Sequence, residues 1–272
     1  SKNNTQALKP QITAVWDIHF RCNYRCPYCF NAGKWGQIEE QDALYTSQDW
    51  LIFWERIYKK YGEISLIISG GEPFVYPGFL EIVKKITLLH RIEVVTNLSE
   101  DVEKIVDGFS PERLLLHPSF HPYASDLEGF IEKVCILKKK GWDLWPVVVA
   151  YPPLLDKLAY FKNKFSQSDM GLFILQYPQA YTTLEKRFFS SSRNQQLVKY
   201  QLNNINTKGR LCKAGFQYFK ARPDGSIVRC ASSNTILCDI KDKNFKLLDG
   251  AIPCAAEFCI CNNEAIYLNE NK

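Results

Sequence analysis

The chain has 272 residues, 46% hydrophobic and 23% charged. That length fits one large domain or one domain with an appendage, and the balance excludes wholesale disorder. The net charge of +5, from 34 basic and 29 acidic residues, falls short of the clustered excess of a nucleic-acid binder.

No apolar run approaches the ~18 residues of a membrane span, and the opening SKNNTQALKPQ lacks the apolar core of a secretory signal, so a cytoplasmic protein without a membrane partner is expected. After this polar extension (1–12), the first strand is predicted over residues 14–20 (AVWDIHF). A helix follows over 47–61, with Leu51, Trp54, Tyr58 and Tyr61 on one face and Ser47 as N-cap. Residues 64–69 (ISLIIS) read as a continuously apolar strand before Gly70-Gly71. The next helix carries Phe79, Ile82, Val83 and Ile86 at helical spacing. Strands are then predicted over 91–96, 113–117, 144–150 and 171–177. Helices are predicted over 99–107, 125–140, 154–165 and 194–202. The basic run Lys138-Lys139-Lys140 ends one of them, where cations complement the helix dipole. Six strand–helix units with near-continuous apolar strands imply a parallel sheet, either doubly wound or an incomplete barrel. The alternation stops near residue 208, where a cysteine-rich stretch begins.

Ten cysteines in a chain with no export signal point to metal sites rather than disulfides. Cys22, Cys26 and Cys29 directly follow the first strand, at the end of a parallel sheet where functional groups collect. Their C-x3-C-x2-C spacing lets three thiolates hold three corners of a cubane iron–sulfur cluster and leave the fourth iron open. Zinc is the competing reading, but it prefers four ligands, usually two C-x2-C-like pairs, and no partner pair lies nearby in sequence. Ser69-Gly70-Gly71-Glu72-Pro73 follows the second strand, at the same end. Its glycines permit close backbone approach to a ligand, and Glu72 offers a negative group suited to an ammonium.

With these two motifs the chain resembles the radical S-adenosylmethionine (SAM) superfamily. The resemblance implies an α/β fold, a partial (β/α)6 barrel of parallel strands, over residues 13–207. It implies a [4Fe-4S] cluster on Cys22, Cys26 and Cys29 whose open iron chelates SAM, and reductive cleavage to a 5′-deoxyadenosyl radical that abstracts hydrogen from an unactivated carbon. Carried over by position, Tyr28 matches the aromatic beside adenine, and Gly70, Gly71, Glu72 and Pro73 match the binder of the methionine amino group. Thr96 and Asn97, with Ser119 or His121, match the ribose and carboxylate positions, and the backbone near Ala150 matches an adenine contact. His117 and His121 read equally well as structural loop histidines.

In the last quarter, Cys212, Gly225 and Cys230 form a C-x12-G-x4-C pattern around a Pro-Asp-Gly turn, the signature of a β-hairpin that joins its two cysteines at the open end. Cys254, Cys259 and Cys261 follow. Alone, this spacing suits a zinc-binding hairpin. Behind such a barrel it resembles the twitch domain, a short SPASM-type extension over 208–272, which implies one auxiliary iron–sulfur cluster. Its ligands would be Cys212, Cys230 and two or three of Cys254, Cys259 and Cys261. Cys238 is read as a core residue or a hydrogen-donating thiol, and Cys135 as core.

The expected function is hydrogen abstraction leading to oxidation or epimerisation of a small intermediate such as a sugar or aminocyclitol, with a reductant such as flavodoxin or ferredoxin as partner. About a dozen residues precede the first strand, too few for a peptide-leader-binding domain, which favours a small substrate over a peptide. The alternatives are a peptide-modifying enzyme of the same superfamily and a non-catalytic iron–sulfur or zinc electron-transfer protein. Trp35 and Trp145 are candidate cavity-lining aromatics.

Overall fold

A parallel strand inside an α/β protein is covered on both faces, and β1 (Thr13–His19) is: Ala14, Trp16 and Ile18 are buried on one face, and Val15, Asp17 and His19 on the other. The computed structural model describes residues 11–37, 45–177, 181–186, 205–233, 235–259 and 267–268, and the statements below concern these.

Five further strands, β2 (Ser65–Gly70), β3 (Arg91–Thr96), β4 (Leu114–Phe120), β5 (Val147–Ala150) and β6 (Phe173–Gln176), pair in parallel and in strict chain order after β1. A doubly wound sheet reverses its order at a switch point. This one does not, which selects the incomplete barrel. The helices pack on the face that carries Trp16, Leu66, Ile68, Val94 and Leu116.

α1 (Ser47–Tyr61) shows why. Trp50, Phe53, Trp54 and Ile57 are all buried, and the rings of Trp50 and Trp54 lie 5.0 and 5.5 Å from Trp16. Each such side chain contributes about 1.5–3 kcal/mol by leaving water. The apolar stripe is centred one position away from the predicted one, so Tyr58 is left exposed. The N-cap is Thr46, not Ser47: its hydroxyl accepts from the Asp49 N–H while the Asp49 carboxylate accepts from the Thr46 N–H, a reciprocal capping box.

α2 (Phe79–Ile86), α3 (Val102–Gly108), α4 (Leu127–Lys139) and α5 (Leu158–Gln167) complete the outer layer, with a short α6 (Thr183–Lys186). β4 runs three residues further than its sequence suggests. Pro118 has no N–H to donate, yet it still pairs with Thr96, so the strand carries Ser119 to its end. Pro152-Pro153 opens a 3-10 turn ahead of α5, delaying the α-helix predicted from residue 154. The helix predicted near residues 194–202 lies outside the described residues.

Beyond residue 208 the sheet does not end. β8 (Tyr218–Ala221) pairs in parallel with β1, and β9 (Ser226–Val228) and β10 (Ile236–Asp239) extend the same sheet antiparallel, giving the order β10-β9-β8-β1-β2-β3-β4-β5-β6. Phe219, Ala221, Ile227 and Cys238 join the main core. β7 (Leu211–Cys212) and β11 (Ile252–Pro253) form a separate two-stranded ladder.

The β8–β9 turn needs its glycine twice over. Gly225 has φ +83°, and a Cβ there would collide with the ring of Tyr45, whose hydroxyl donates to Asp239 at 2.8 Å. Gly225→Ala is expected to cost about 2–4 kcal/mol, the left-handed backbone and the ring clash together. Denaturant unfolding measures it. Adding Tyr45→Ser should return the clash part and leave the backbone part of about 1–2 kcal/mol.

Candidate active site

β1 ends at His19, and Phe20-Arg21 leads into the first cysteine loop. The loop is shaped by backbone turns: Cys29 N–H donates to Cys26 O at 3.1 Å and Ala32 N–H to Cys29 O at 2.9 Å. Cys26 is buried, and Cys22 and Cys29 are half-buried. Burial pushes all three thiols upward, Cys26 to about 11, so they are neutral until a cation binds; bound iron reverses that preference.

The second motif is pressed against this loop. Gly71 N–H donates to His19 O at 2.7 Å and Glu72 N–H to Arg21 O at 2.9 Å. A Cβ on Gly70 would collide with the His19 carbonyl, and one on Gly71 with the Arg21 carbonyl. The glycines thus let two backbone segments touch, one step before Cys22.

The Glu72 carboxylate is 1% exposed and faces its own protein. It accepts from Thr96 Oγ1 at 2.8 Å, Asn97 N at 2.7 Å and Phe74 N at 3.3 Å. Asn97 in turn donates through Nδ2 to Asn23 Oδ1 at 2.9 Å. Glu72 therefore ties the end of β3 to the glycine turn, and Asn97 ties it to the cysteine loop.

Burial raises the Glu72 carboxyl from 4.5 to about 7 despite these donors. A raised folded-state pKa contributes stability that is fully present below pH 4.5 and lost as pH rises through about 7. In the metal-free protein, unfolding free energy should fall over that window because of Glu72. Glu72→Gln should remove that part of the slope, as denaturant titrations at pH 5 and pH 7.5 would read.

Cys22, Cys26, Cys29, Tyr28, Gly70, Gly71, Glu72, Thr96, Asn97, Ser119 and His121 line one cavity of about 190 Å³. Tyr28 and His121 form a unit in its wall: the Tyr28 hydroxyl meets His121 Nδ1 at 3.0 Å, and the rings stack at 5.9 Å. Burial lowers His121 to about 4, which makes the imidazole neutral and the phenol the donor. Pro73 opens a 3-10 turn away from the wall. Ala150 is replaced at the wall by Val149, and its carbonyl accepts from Tyr181 at 2.8 Å. Trp35 lines the cavity under the Arg25 guanidinium, 4.8 Å from its ring centre. Trp145 stacks on Phe173 instead.

The inner face of the strands carries a polar layer that motif reading missed. Register places Asp17 beside Ser69, Val15 beside Ile67 and Lys220, and Val95 beside His117. Asp17 accepts from Ser69 Oγ at 2.8 Å and pairs with Lys220 at 2.7 Å; His117 pairs with Glu93 at 2.9 Å. Val95, Ser119 and Val149 of the same face line the cysteine cavity. A single carboxylate inside an otherwise largely apolar strand, as Asp17 in AVWDIHF and Glu93 in RIEVVT, was the available signal. His117 is a strand residue, not a loop one.

Cys212, Cys230, Cys254 and Cys259 are buried in one cluster with Val15, Ala214, Tyr218, Ala256 and Leu268. Backbone N–H groups point at two of the sulfurs, Ala214 at Cys212 and Ser233 at Cys230, 3.4 and 3.3 Å away. Cys261 lies outside the described residues. Cys238 belongs to the main core, where burial pushes its thiol to about 12. Among the described residues, no three Cys, His, Asp or Glu side chains are close enough to hold one metal ion. No described helix is long and apolar enough to cross a membrane.

Residues 17–143, which hold the three cysteines and the glycine turn, match the family model described as the Radical SAM superfamily. Members of that superfamily carry SAM and a [4Fe-4S] cluster, and the donor types suit both: three thiols that feel one another's charge, too far apart to hold a single ion, on the wall of one cavity beside a half-buried backbone turn. The GTP 3',8-cyclase of Rippkaea orientalis (strain PCC 8801 / RF-1) is 28% identical over 94 residues, 35% of this chain and 26% of its own. The chain spans about a quarter of the length of the curated relatives it matches. Among solved structures, native anSMEcpe with bound AdoMet superposes with TM-score 0.62 at 15% identity, over 86% of this chain and 78% of that one. The same protein with AdoMet and the Cp18Cys peptide gives 0.61, also at 15% identity and over the same shares of the two chains. At that identity the likeness is one of fold.

Proposed function

We propose that this chain is a radical SAM enzyme with an auxiliary iron–sulfur cluster, which oxidises or epimerises a small polar substrate held in the barrel. The observation that carries this reading is that two cysteine sets flank β1, one beyond its end and one packed near its start, with the polar residue Asp17 of β1 between. Cys22, Cys26 and Cys29 stand beyond the end of β1, and Val15 near its start packs among Cys212, Cys230, Cys254 and Cys259.

When bound, the barrel cluster and SAM supply a 5′-deoxyadenosyl radical, and an electron from a flavodoxin- or ferredoxin-type donor is consumed in making it. The chain's own residues do the rest. Gly70 and Gly71 offer backbone to the methionine end, Glu72 holds the loops that frame it, and Tyr28 and His121 wall the adenine side. Thr96, Asn97 and Ser119 are placed for the ribose and carboxylate. Pro73 and Ala150 act only through the backbone around them.

Asp17, Ser69, Lys220, Glu93 and His117 offer paired donors and acceptors suited to hydroxyl or amino groups. Lys220 is matched by Asp17 and His117 faces Glu93, so this layer has no surplus positive charge for a polyphosphate. That favours a small neutral or zwitterionic molecule over the nucleotide that the cyclase relatives' name carries. A peptide segment entering the barrel is the second reading, favoured by the peptide-bound structural neighbour.

Metal analysis after anaerobic purification and reconstitution tests the reading. Iron should reach about seven or eight atoms per chain, or about six with a two-iron auxiliary centre. Absorption near 400 nm should fade in air, because the open iron lacks a fourth thiolate. Stoichiometric zinc without iron would contradict the proposal. Product mass then separates loss of two hydrogens from epimerisation, which leaves mass unchanged.

A further inference from the structure

Arg229 follows β9 and precedes Cys230, and it is 2% exposed. Its guanidinium donates from Nε to Ala214 O at 2.7 Å, from Nη1 to Pro253 O at 2.8 Å, and from Nη2 to Cys212 O and Ile252 O at 3.2 and 2.9 Å. All four partners are main-chain carbonyls, and among the described residues no carboxylate pairs with it. The group cannot shed its proton, so a full positive charge is buried here. Carbonyl dipoles solvate such a charge but do not neutralise it, and an unpaired buried ion is strongly disfavoured.

The fold has nonetheless made room for it. Gly215, at φ +88°, has no side chain, and a Cβ there would crowd the Arg229 stem and Leu248. The guanidinium's charge reaches the Cys212 thiol, and two more cysteines adjoin Arg229 or its contacts in the chain. Cys212 supplies one of its carbonyls, Cys230 is the next residue, and Pro253, which supplies another, precedes Cys254. These three cysteines share a buried cluster with Cys259.

We propose that Arg229 is the fixed counter-charge of the C-terminal cysteine set when that set holds an iron–sulfur cluster, and that it raises the cluster's reduction potential. The inference rests on the auxiliary-cluster reading above. Thiolate ligands outweigh the positive charge of an iron–sulfide core, so such a cluster is an anion, and one-electron reduction makes it more so. A cation held beside it stabilises the reduced form more than the oxidised one. The cluster thereby becomes a better acceptor for an electron leaving a substrate radical. Arg229 is a positioning and tuning residue in this account, not a catalytic one.

The test uses the full chain with Cys22, Cys26 and Cys29 changed to Ala, so that bound iron reports on the C-terminal set alone. Arg229, Arg229→Lys and Arg229→Gln forms are reconstituted anaerobically with iron and sulfide. Each is titrated with titanium(III) citrate and followed by electron paramagnetic resonance. The Lys form keeps the charge and loses the guanidinium fork; its midpoint potential should stay near that of the parent. The Gln form should shift to a more negative potential. A Gln form with an intact cluster and an unmoved potential would overturn the proposal, as would equal shifts in Lys and Gln, which would mark a purely structural staple. If the Gln form fails to fold, the Lys form decides alone: a parent-like potential supports the charge role, and a shifted one contradicts it. A parent that holds no cluster would overturn the auxiliary-cluster reading itself, and this inference with it.

Discussion

Cys26→Ala is expected to abolish both SAM cleavage and product formation, while Cys230→Ala is expected to keep cleavage and lose product. Cys26 is the most buried of the three thiols that line the cavity, and among the described residues only three do. Removing one leaves SAM no competent iron, and 5′-deoxyadenosine should fall at least ~10³-fold, equivalent to about 4 kcal/mol of barrier. Cys230 lies in the other set, with Cys212, Cys254 and Cys259. Its loss leaves the cysteine loop, the Gly71 contact and the Tyr28–His121 pair in place, so cleavage should continue. Metal-site free energy is partly folding free energy, and β8 of this region pairs with β1, so circular dichroism of both variants belongs beside the assay. Folded Cys230→Ala protein that forms product at the wild-type rate would refute an auxiliary cluster.

The second large effect is expected from a single methyl group. Gly71→Ala would drive a Cβ into the Arg21 carbonyl, a backbone atom that cannot rotate away. The turn must then retreat from the cysteine loop, and the Gly71–His19 and Glu72–Arg21 bonds lengthen or break. A displacement of about 1 Å at a reacting centre costs about 10²-fold in rate, and SAM cleavage should drop by about that factor. Iron content should change little, since the three thiols remain. Gly250→Ala, where nothing lies within 4 Å, is the matched control and should be silent. Cleavage rates and iron content measured together for the two variants check the prediction; equal behaviour would refute the close-approach role of Gly71.

The parts legible in the sequence were those written in short spacings. C-x3-C-x2-C and the Gly70-Gly71-Glu72 run each sit within a few residues, and the strands before them announce themselves by apolar runs. What escaped was nonlocal. No pattern within residues 218–221 says that they pair with residues 13–16, because that choice depends on an open strand edge some 200 residues away. Glu72 reads as a ligand for an ammonium, yet its carboxylate is occupied by Thr96 and Asn97, a fact set by how three strand ends converge. Thr46 rather than Ser47 caps α1 because Asp49 reciprocates. The Asp17–Lys220 pair joins strands at opposite ends of the chain, so only the alternation in β1 hinted at it. Arg229 looks like an ordinary surface residue of a hairpin until its four carbonyl partners are seen together.

If the three-cysteine loop and the glycine turn work together on SAM, 5′-deoxyadenosine is the product that reports it. Reconstituted wild-type protein, incubated without oxygen with SAM and dithionite, should release 5′-deoxyadenosine and methionine in equal amounts, and Cys26→Ala protein should release neither. A wild-type protein with its full iron content that forms no 5′-deoxyadenosine under these conditions would contradict the account and leave an iron–sulfur carrier in its place.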